Sequence, residues 1–412
     1  MWSRYRLMLM VAIVTLLLAT PSAAAPITPT NPFPIAEVPG NTEYARAIAH
    51  DPGRSQYLVV NENAGTLNAR CLDTYGQQIA IYVLGNTNGE GADAVYDPSR
   101  DLYLVVWGNS GNIYGNYVSG DCCQQLGCNG APFTVSGDRP GYEANPAIAY
   151  NNNANHEYAV VVWTDDANTS NHWAVYGRRL DGTTLAPSSF AIKDDTAAFH
   201  YDPDIAYNLN HNEFLVVYTR DTAKGLTFSA LNVYGRRIYN NPIIGLLAEN
   251  AIDSSGEAQA QPSVAAYRLN TTTPYIVVFR DHWNDTAGDV RGYTLFVDGQ
   301  PESLLNISTE PNIPESGVHI ASSEAAGGYA VTWVRSSGAK DDLYWRKITP
   351  GGVLGPQLDV YTGPGSHREP ALVNDPPVPL VIWTQSISGE YDVYGRFLFM
   401  GIYIPLVLRA GS

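Results

Sequence analysis

Side chains that could bind a sugar occur in short polar segments spread between residues 202 and 369. Carboxylates and imidazoles exchange hydrogen bonds with sugar hydroxyls, and the flat face of an indole packs against a sugar ring. The candidates are Asp202, Asp204, Asp221, Asp281, His282, Trp283, His319, His367 and Glu369. They predict a carbohydrate site if the fold brings them together. Loops are also polar simply because they lie at the surface. Each of these residues could therefore be an ordinary surface residue without a binding role.

Metal and cofactor chemistry has little support in the sequence. The chain contains no H-E-x-x-H, no C-x-x-C pair and no D-x-D-x-D-G loop. We therefore predict no cofactor and no metal site, with calcium as the alternative. That alternative rests on an aspartate that recurs after similar apolar runs, at Asp165, Asp221 and Asp281. Such an aspartate more often accepts hydrogen bonds from backbone N–H groups in a turn.

Seven repeats provide the elements that must position these residues. An apolar run of the type Y-L-V-V-W recurs, and its closing residues lie 46 to 61 residues apart. In the third repeat three further signals flank the run, namely Pro146–Tyr150, Val175–Arg179 and Phe190–Ile192. The seven runs are Tyr57–Asn61, Tyr103–Trp107, Tyr158–Trp163, Phe214–Tyr218, Tyr275–Phe279, Tyr329–Trp333 and Pro379–Trp383.

Each signal is a short segment rich in Val, Ile, Tyr and Trp, bounded by Gly, Pro, Asn or Asp. That composition is typical of β-strands separated by turns, so each repeat predicts four strands. The second strand is apolar at successive positions, which indicates burial on both faces rather than on one. Sheets stacked radially around an axis bury both faces. The prediction is an all-β, seven-bladed β-propeller with four antiparallel strands in each blade.

The two ends of the repeat array predict how the ring closes. The seventh repeat has three strand signals and lacks a clear fourth. Phe33-Pro34-Ile35 matches the fourth-strand signal Phe190-Ala191-Ile192 and precedes the first strand of repeat one. We therefore expect the N-terminal strand to complete the last blade.

The repeats resemble those of secreted bacterial β-propeller proteins of the type I-A-Y-N…Y-L-V-V-W-x-D…Y-G-R-R-L. The resemblance covers about residues 33–399 and is strongest over Asn145–Leu180 and Asp202–Ile238. It implies the fold and an exported protein, and it implies no characterised activity. The paired basic residues of its Y-G-R-R segment, such as Arg178 and Arg179, are expected to form contacts between blades or to snorkel.

In a propeller, the loops before the first strand and those between the second and third strands open on one face. The candidate residues fall in these loops, which predicts one ligand-binding funnel. A glycoside hydrolase or polysaccharide lyase would need two acids there, and Asp202, Asp204 and Glu369 are nearest to the expected channel mouth. No catalytic motif stands out. We predict non-catalytic binding of a glycan or a protein, with such an enzyme or a structural envelope component as alternatives.

Four cysteines, Cys71, Cys122, Cys123 and Cys128, are an even number in a chain expected to be exported. That favours disulfides, and four cysteines allow three connectivities. Cys71 follows the third strand of the first repeat, and the others lie in the corresponding loop of the second. We expect one bridge between these blades, from Cys71 to Cys122 or Cys123, and one loop bridge to Cys128.

The ends and the charge of the chain predict its location. Residues 1–25 have the basic start, apolar run and small-residue end of a secretory signal peptide. Residues 26–399 would form the propeller and 400–412 a hydrophobic tail too short to span a bilayer. With 24 Lys and Arg against 40 Asp and Glu among 412 residues, a nucleic-acid partner is not expected. We predict a monomer that is secreted or attached to the cell surface.

Overall fold

The computed structural model confirms the seven-bladed β-propeller. It describes residues 31–122, 130–153, 157–166, 172–182, 184–225, 230–241, 243–282, 287–373 and 378–398. Seven sheets are present in these ranges, and neighbouring strands within each sheet pair antiparallel. In the same ranges there is no helix long and apolar enough to cross a membrane. The expected signal peptide and hydrophobic tail lie outside the described residues.

The strands follow one another outward from a central channel. Blade 1 contains β2 (Glu43–Asp51), β3 (Gln56–Asn63), β4 (Thr66–Leu72) and β5 (Gln78–Asn86). Blade 2 contains β6 (Ala92–Asp97), β7 (Leu102–Asn109), β8 (Asn112–Ser119) and β9 (Phe133–Thr134). Blade 3 contains β10 (Glu143–Asn151), β11 (Tyr158–Asp165) and β12 (Ala174–Asp181), with β13 (Thr184–Leu185) and β14 (Phe190–Lys193) both pairing with β12. Blade 4 contains β15 (Phe199–Asn208), β16 (Glu213–Asp221), β17 (Leu231–Asn241) and β18 (Ile243–Asp253). Blade 5 contains β19 (Gln259–Ala266), β20 (Tyr275–Asp281), β21 (Asp289–Leu295) and β22 (Pro301–Ser308). Blade 6 contains β23 (Glu315–Ser323), β24 (Gly328–Ser336), β25 (Asp341–Ile348) and β26 (Leu358–Tyr361). Blade 7 contains β27 (Ser366–Leu372), β28 (Leu380–Ile387), β29 (Glu390–Phe397) and β1 (Phe33–Ala36).

The N-terminal strand β1 closes the ring as the sequence predicts. It pairs antiparallel with β29, with Phe33 opposite Gly395. Glycine at 395 lets β1 approach closely, because a Cβ atom there would lie 2.8 Å from the Ile35 side chain and 3.1 Å from the Phe33 ring. The Phe33 ring also stacks on Phe397, with 5.7 Å between ring centroids. The first and last strands of the propeller therefore share one blade.

The second strands form the centre of each blade and are buried on both faces. Every residue of β11 is buried, as its continuous apolar run predicts. The tryptophan that ends this run in several repeats stacks on a tyrosine of the third strand of the same blade. In the pair Trp107 and Tyr114 the ring centroids are 6.0 Å apart, and in Trp333 and Tyr344 they are 6.1 Å apart. Aromatic pairs of this kind stabilise a sheet beyond the area that they bury.

The first arginine of the Y-G-R-R segment joins neighbouring blades. Arg178 Nη1 donates a hydrogen bond of 2.6 Å to the carbonyl of Val135 in the preceding blade. Arg236 makes the same contact, also at 2.6 Å, with the carbonyl of Ile192. The second arginine stays within its own blade, since the Arg179 guanidinium lies 4.0 Å from the centroid of the Tyr158 ring. The two neighbours differ because alternate residues of a strand face opposite sides of the sheet.

We expect Arg178→Met to lower the free energy of unfolding by about 3 kcal/mol, because it removes the donor to the buried Val135 carbonyl and the cation paired with Asp138. Urea unfolding followed by fluorescence measures this difference. Arg179→Met is the matched control and should lower it by less than about 1 kcal/mol, since that guanidinium is more exposed. Equal effects of the two substitutions would contradict the inter-blade role.

A disulfide between Cys71 and Cys122 joins blades 1 and 2. Its two Cα atoms lie 5.9 Å apart, and both cysteines are fully buried. This bridge agrees with one of the two pairings expected for Cys71. Cys123 and Cys128 lie outside the described residues, so the loop bridge to Cys128 stays a prediction.

Candidate functional site

The first strands of all seven blades line a central cavity of about 980 Å³. We call the end of the channel at which these strands begin the mouth. Among the sequence candidates, Asp202, Asp204, His319 and Glu369 line this cavity. They reach it because each belongs to a first strand, at a position repeated from blade to blade. The structure therefore brings together four residues from blades 4, 6 and 7.

A β-bulge recurs near the start of the first strands and carries polar residues to the mouth. In blades 3 and 4 the pairing with the second strand shifts across Asn145 and Asp202. Four of the bulge residues are not glycine and yet adopt the left-handed conformation, with φ between 51° and 54°. Such φ values are uncommon for residues with a side chain and are found at ligand sites more often than elsewhere. We call these four the mouth residues: Asn145, Asp202, Gln261 and Glu369.

Threonines of the preceding blades hold the bulges in place. The backbone N–H of Asp202 donates to Thr164 Oγ1 at 3.2 Å, and that of Gln261 donates to Thr219 Oγ1 at the same distance. Both threonines follow the aromatic residue that closes the second-strand run. The bulge conformation is thus fixed by the neighbouring blade as well as by its own strand.

Hydrogen bonds connect the mouth residues across blades. Asn145 Nδ2 donates to Asp202 Oδ1 at 2.9 Å. Arg46 ion-pairs with Glu369 over 3.4 Å and with Glu62 over 2.6 Å. Burial raises the pKa of Asp202 to about 6, against the opposing effect of the Asn145 amide. The mouth therefore presents the Asp202 carboxyl group, whose pKa is about 6, the amides of Asn145 and Gln261, and the Glu369 carboxylate, which is ion-paired with Arg46.

Deeper in the channel, a second set of side chains joins the blades. We call these the belt residues: Asp93, Asp204, Ser263 and His319. Each accepts a hydrogen bond from a backbone N–H on the first strand of the next blade. That strand is the innermost strand of its sheet, so its channel side has no neighbouring strand to pair with. The bonds are Ile148 N to Asp93 Oδ2 at 2.8 Å, Val264 N to Asp204 Oδ2 at 2.8 Å, Ile320 N to Ser263 Oγ at 3.3 Å, and Leu372 N to His319 Nδ1 at 3.3 Å.

These contacts revise the roles expected for Asp204 and His319. The other oxygen of Asp204 accepts the N–H of Ile205 at 2.8 Å, so both oxygens bind the backbone. Burial raises the pKa of Asp204, while the neighbouring His319 acts against that rise. Burial lowers the pKa of His319, in keeping with its Nδ1 acting as an acceptor. Both residues line the channel, and their contacts serve the joints between blades.

Asp221 and Asp281, which the sequence predicts at the funnel, are absent from the cavity lining. Both side chains are fully buried. Asp221 accepts the backbone N–H groups of Ala223 at 2.9 Å and Gly225 at 3.1 Å, as a turn-capping aspartate does. Asp281 ion-pairs with Arg291 over 2.5 Å. Within the described residues, no group of three or more His, Cys, Asp or Glu side chains is arranged to hold a metal ion.

The two remaining candidate histidines, His282 and His367, are absent from the cavity lining. His367 is fully buried, and its Nδ1 lies 2.5 Å from the carbonyl of Asp341. Burial lowers its pKa. His282 donates its backbone N–H to the carbonyl of Ala258 at 3.0 Å, and it is absent from the cavity lining. Trp283 lies outside the described residues.

A smaller cavity between blades 2 and 3, which we call the side pocket, escaped the sequence analysis. Its volume is about 410 Å³, and Asn145 lines both it and the channel. Its aromatic members sit on loops that do not repeat, so no periodic signal marks them. The side pocket is lined by Asn88, Gly89, Glu90, Tyr142, Ala144, Asn145, Thr164, Asp166 and Trp173.

Comparison with known proteins extends the description of the fold. No protein-family model matches the chain, and no curated protein matches it. A solved puromycin hydrolase superposes with a TM-score of 0.54 and 13% identity, covering 87% of this chain and 53% of that chain. The chain thus spans about half the length of that hydrolase. The solved Dos1 propeller gives a TM-score of 0.48 and 9% identity, covering 90% of this chain and 94% of that chain. Identities this low show a shared fold alone.

Proposed function

We propose that the protein is a non-catalytic binding protein that takes a glycan at the channel mouth. The observation that carries this proposal is the set of mouth residues, four polar side chains held on left-handed bulges around one opening. Backbone strain of this kind costs on the order of 1 kcal/mol per residue or more, and it tends to persist where a side chain must be held for a ligand. Amides and carboxyls of this type supply the donors and acceptors that sugar hydroxyls require.

The existing contacts of the acids favour binding over catalysis. A glycosidase would use a pair of carboxyl groups about 5 to 9.5 Å apart on either side of the sugar. Asp204 is bound through both oxygens to backbone N–H groups. Glu369 accepts hydrogen bonds from Arg46 at 3.4 Å and from Thr384 Oγ1 at 3.0 Å. The Asp202 carboxyl group differs from these two acids, because its hydrogen bond at the mouth comes from a neutral amide, that of Asn145.

A glycoside hydrolase is the second candidate because of the state of Asp202. A carboxyl group whose pKa is about 6 is suited to donate a proton to a leaving sugar oxygen near neutral pH. This function would also require a second carboxylate on the opposite side of the ligand. Release of reducing ends from bound polysaccharide, lost in Asp202→Asn, would establish it.

The proposed setting is outside the cell. The Cys71–Cys122 disulfide is compatible with an oxidising compartment, where such bonds persist. The ligand would then be an extracellular or surface glycan, and a surface protein is the alternative partner. We propose that the chain acts as a monomer, without nucleic acid and without a cofactor.

The test is a glycan array followed by calorimetry on the mature protein and on the double variant Asp202→Asn with Glu369→Gln. The fold should tolerate both changes, since Asn145 and Gln261 already occupy the equivalent positions in blades 3 and 5. We expect binding of the best array ligand to weaken at least tenfold. Asp298→Asn, an exposed aspartate in a turn on the opposite face, is the control and should bind like the wild type.

Absence of any bound glycan would overturn the proposal. So would a ligand that the double variant binds as tightly as the wild type does. Conversion of the ligand to shorter sugars, with loss of that activity in Asp202→Asn, would replace it with the hydrolase.

A further inference from the structure

The side pocket lies next to the channel mouth and combines aromatic and acidic side chains. Its volume of about 410 Å³ is in the range of small-ligand sites, and it shares the lining residue Asn145 with the channel mouth. Asn145 also donates to Asp202, so a ligand that reaches from the mouth into the side pocket passes one shared amide. The side pocket is therefore an extension of the proposed glycan site.

Two aromatic side chains form walls of the side pocket. The Tyr142 side chain is 44% exposed, and its backbone N–H donates to Asp166 Oδ1 at 2.8 Å. Trp173 is half-buried and stacks on Phe199, with 6.0 Å between ring centroids. The edge of Tyr201 meets Trp173 at the same separation, so the indole is fixed before any ligand arrives. Rings held in this way offer faces to a sugar ring or to a cation.

The charged side chains that line the side pocket are both carboxylates, Glu90 and Asp166. Glu90 is oriented by two hydrogen bonds, from Asn88 Nδ2 at 2.5 Å and from the backbone N–H of Gly111 at 3.2 Å. Arg139 ion-pairs with Asp165 over 2.9 Å and is absent from the lining. Arg46 lies beside the lining residue Gly89, and its guanidinium is paired with Glu62 over 2.6 Å. The lining therefore creates a negative potential next to two aromatic faces.

We propose that the side pocket holds an ammonium-bearing sugar, a hexosamine without its acetyl group, as one residue of the glycan bound at the mouth. This inference rests on the proposed function. The ammonium is attracted by Asp166 and Glu90 and by the ring faces of Tyr142 and Trp173, while an acidic sugar is repelled. A neutral sugar gains only the stacking contact.

The test compares two probes by calorimetry with the full mature protein: a tetramer of β-1,4-linked glucosamine and the fully N-acetylated tetramer. At a pH at which the amines are protonated, we expect the glucosamine tetramer to bind at least tenfold more tightly. Asp166→Asn should remove most of that preference, and Trp173→Ala should weaken both probes. Tyr75→Ala, a tyrosine 77% exposed on the opposite face, should change neither.

The two substitutions keep the inference falsifiable. Trp173→Ala removes a packed ring and needs a melting curve to show that the variant is folded. Asp166→Asn keeps an oxygen that can accept the Tyr142 N–H, so it removes the negative charge and preserves that hydrogen bond. Equal binding of the two tetramers, or an unchanged preference in Asp166→Asn, overturns the inference.

The same experiment separates the two proposals. If glycan binding persists and depends on Asp202 and Glu369, while the preference for the amine is missing, the mouth site stands and the side-pocket assignment fails. If neither tetramer nor any array glycan binds, both fail.

Discussion

Deleting residues 26–40 is expected to lower the free energy of unfolding by about 5 kcal/mol. The deletion removes β1 and with it the packing of Phe33 and Ile35 on blade 7. Full burial of one large apolar side chain contributes roughly 1.5 to 3 kcal/mol, and the deletion also exposes the partners of the two side chains. Calorimetric melting of the truncated and intact proteins measures the loss, which should appear as a drop of several degrees in Tm.

The control for this experiment is a chain that begins at residue 31 and so retains β1. It should melt like the intact mature protein. If the chain that lacks residues 26–40 also melts at the same temperature, β1 does not close the ring in solution.

The double substitution Cys71→Ala with Cys122→Ala should lower the free energy of unfolding by about 4 kcal/mol. The bridge closes a segment with a sequence separation of 51 residues, and the loss of unfolded-chain entropy for a loop of this length has that size. Thermal melting under non-reducing conditions measures the change. The alanines are small enough for the two buried positions, so new strain is not expected.

Reduction provides the matched comparison for the disulfide. A reducing agent should lower the Tm of the wild type and leave the double variant nearly unaffected. A count of four free thiols in the unreduced mature protein would contradict the bridge itself.

The fold was predictable from the sequence because its physical causes repeat. The second strand is apolar on both faces in every blade, since radial stacking buries both, and this pattern recurs seven times. Ring closure was predictable for a related reason, because Phe33-Pro34-Ile35 repeats the outer-strand signal and meets a glycine on β29. A structural requirement that recurs in every blade therefore produces a sequence pattern that recurs in every repeat.

The site was predictable only in part, because polar residues in a propeller serve several purposes. Asp202 and Glu369 line the mouth as expected. Asp204 and His319 reach the same channel, but there they satisfy N–H groups of an innermost strand that has no inner neighbour. Asp221 has the same chemistry and caps a turn. Residue type alone does not distinguish these three uses.

The side pocket could not have been found from the repeats. Tyr142 and Trp173 belong to irregular segments of blade 3, and their neighbours Asn88 and Glu90 come from the end of blade 1 and the entry to blade 2. Their proximity depends on how adjacent blades are set against each other. No spacing along the chain records that relation.

The shared last blade makes the molecule a natural subject for circular permutation. Because β1 and β29 pair side by side, a short linker could join the two ends of the described chain without crossing the ring. A new start placed in the turn between β4 and β5, at Asp73–Gln77, would make β5 the first strand and leave blade 1 as the composite blade. Strand order around the ring would be unchanged. The position of the chain ends is thus one of seven topologically equivalent choices.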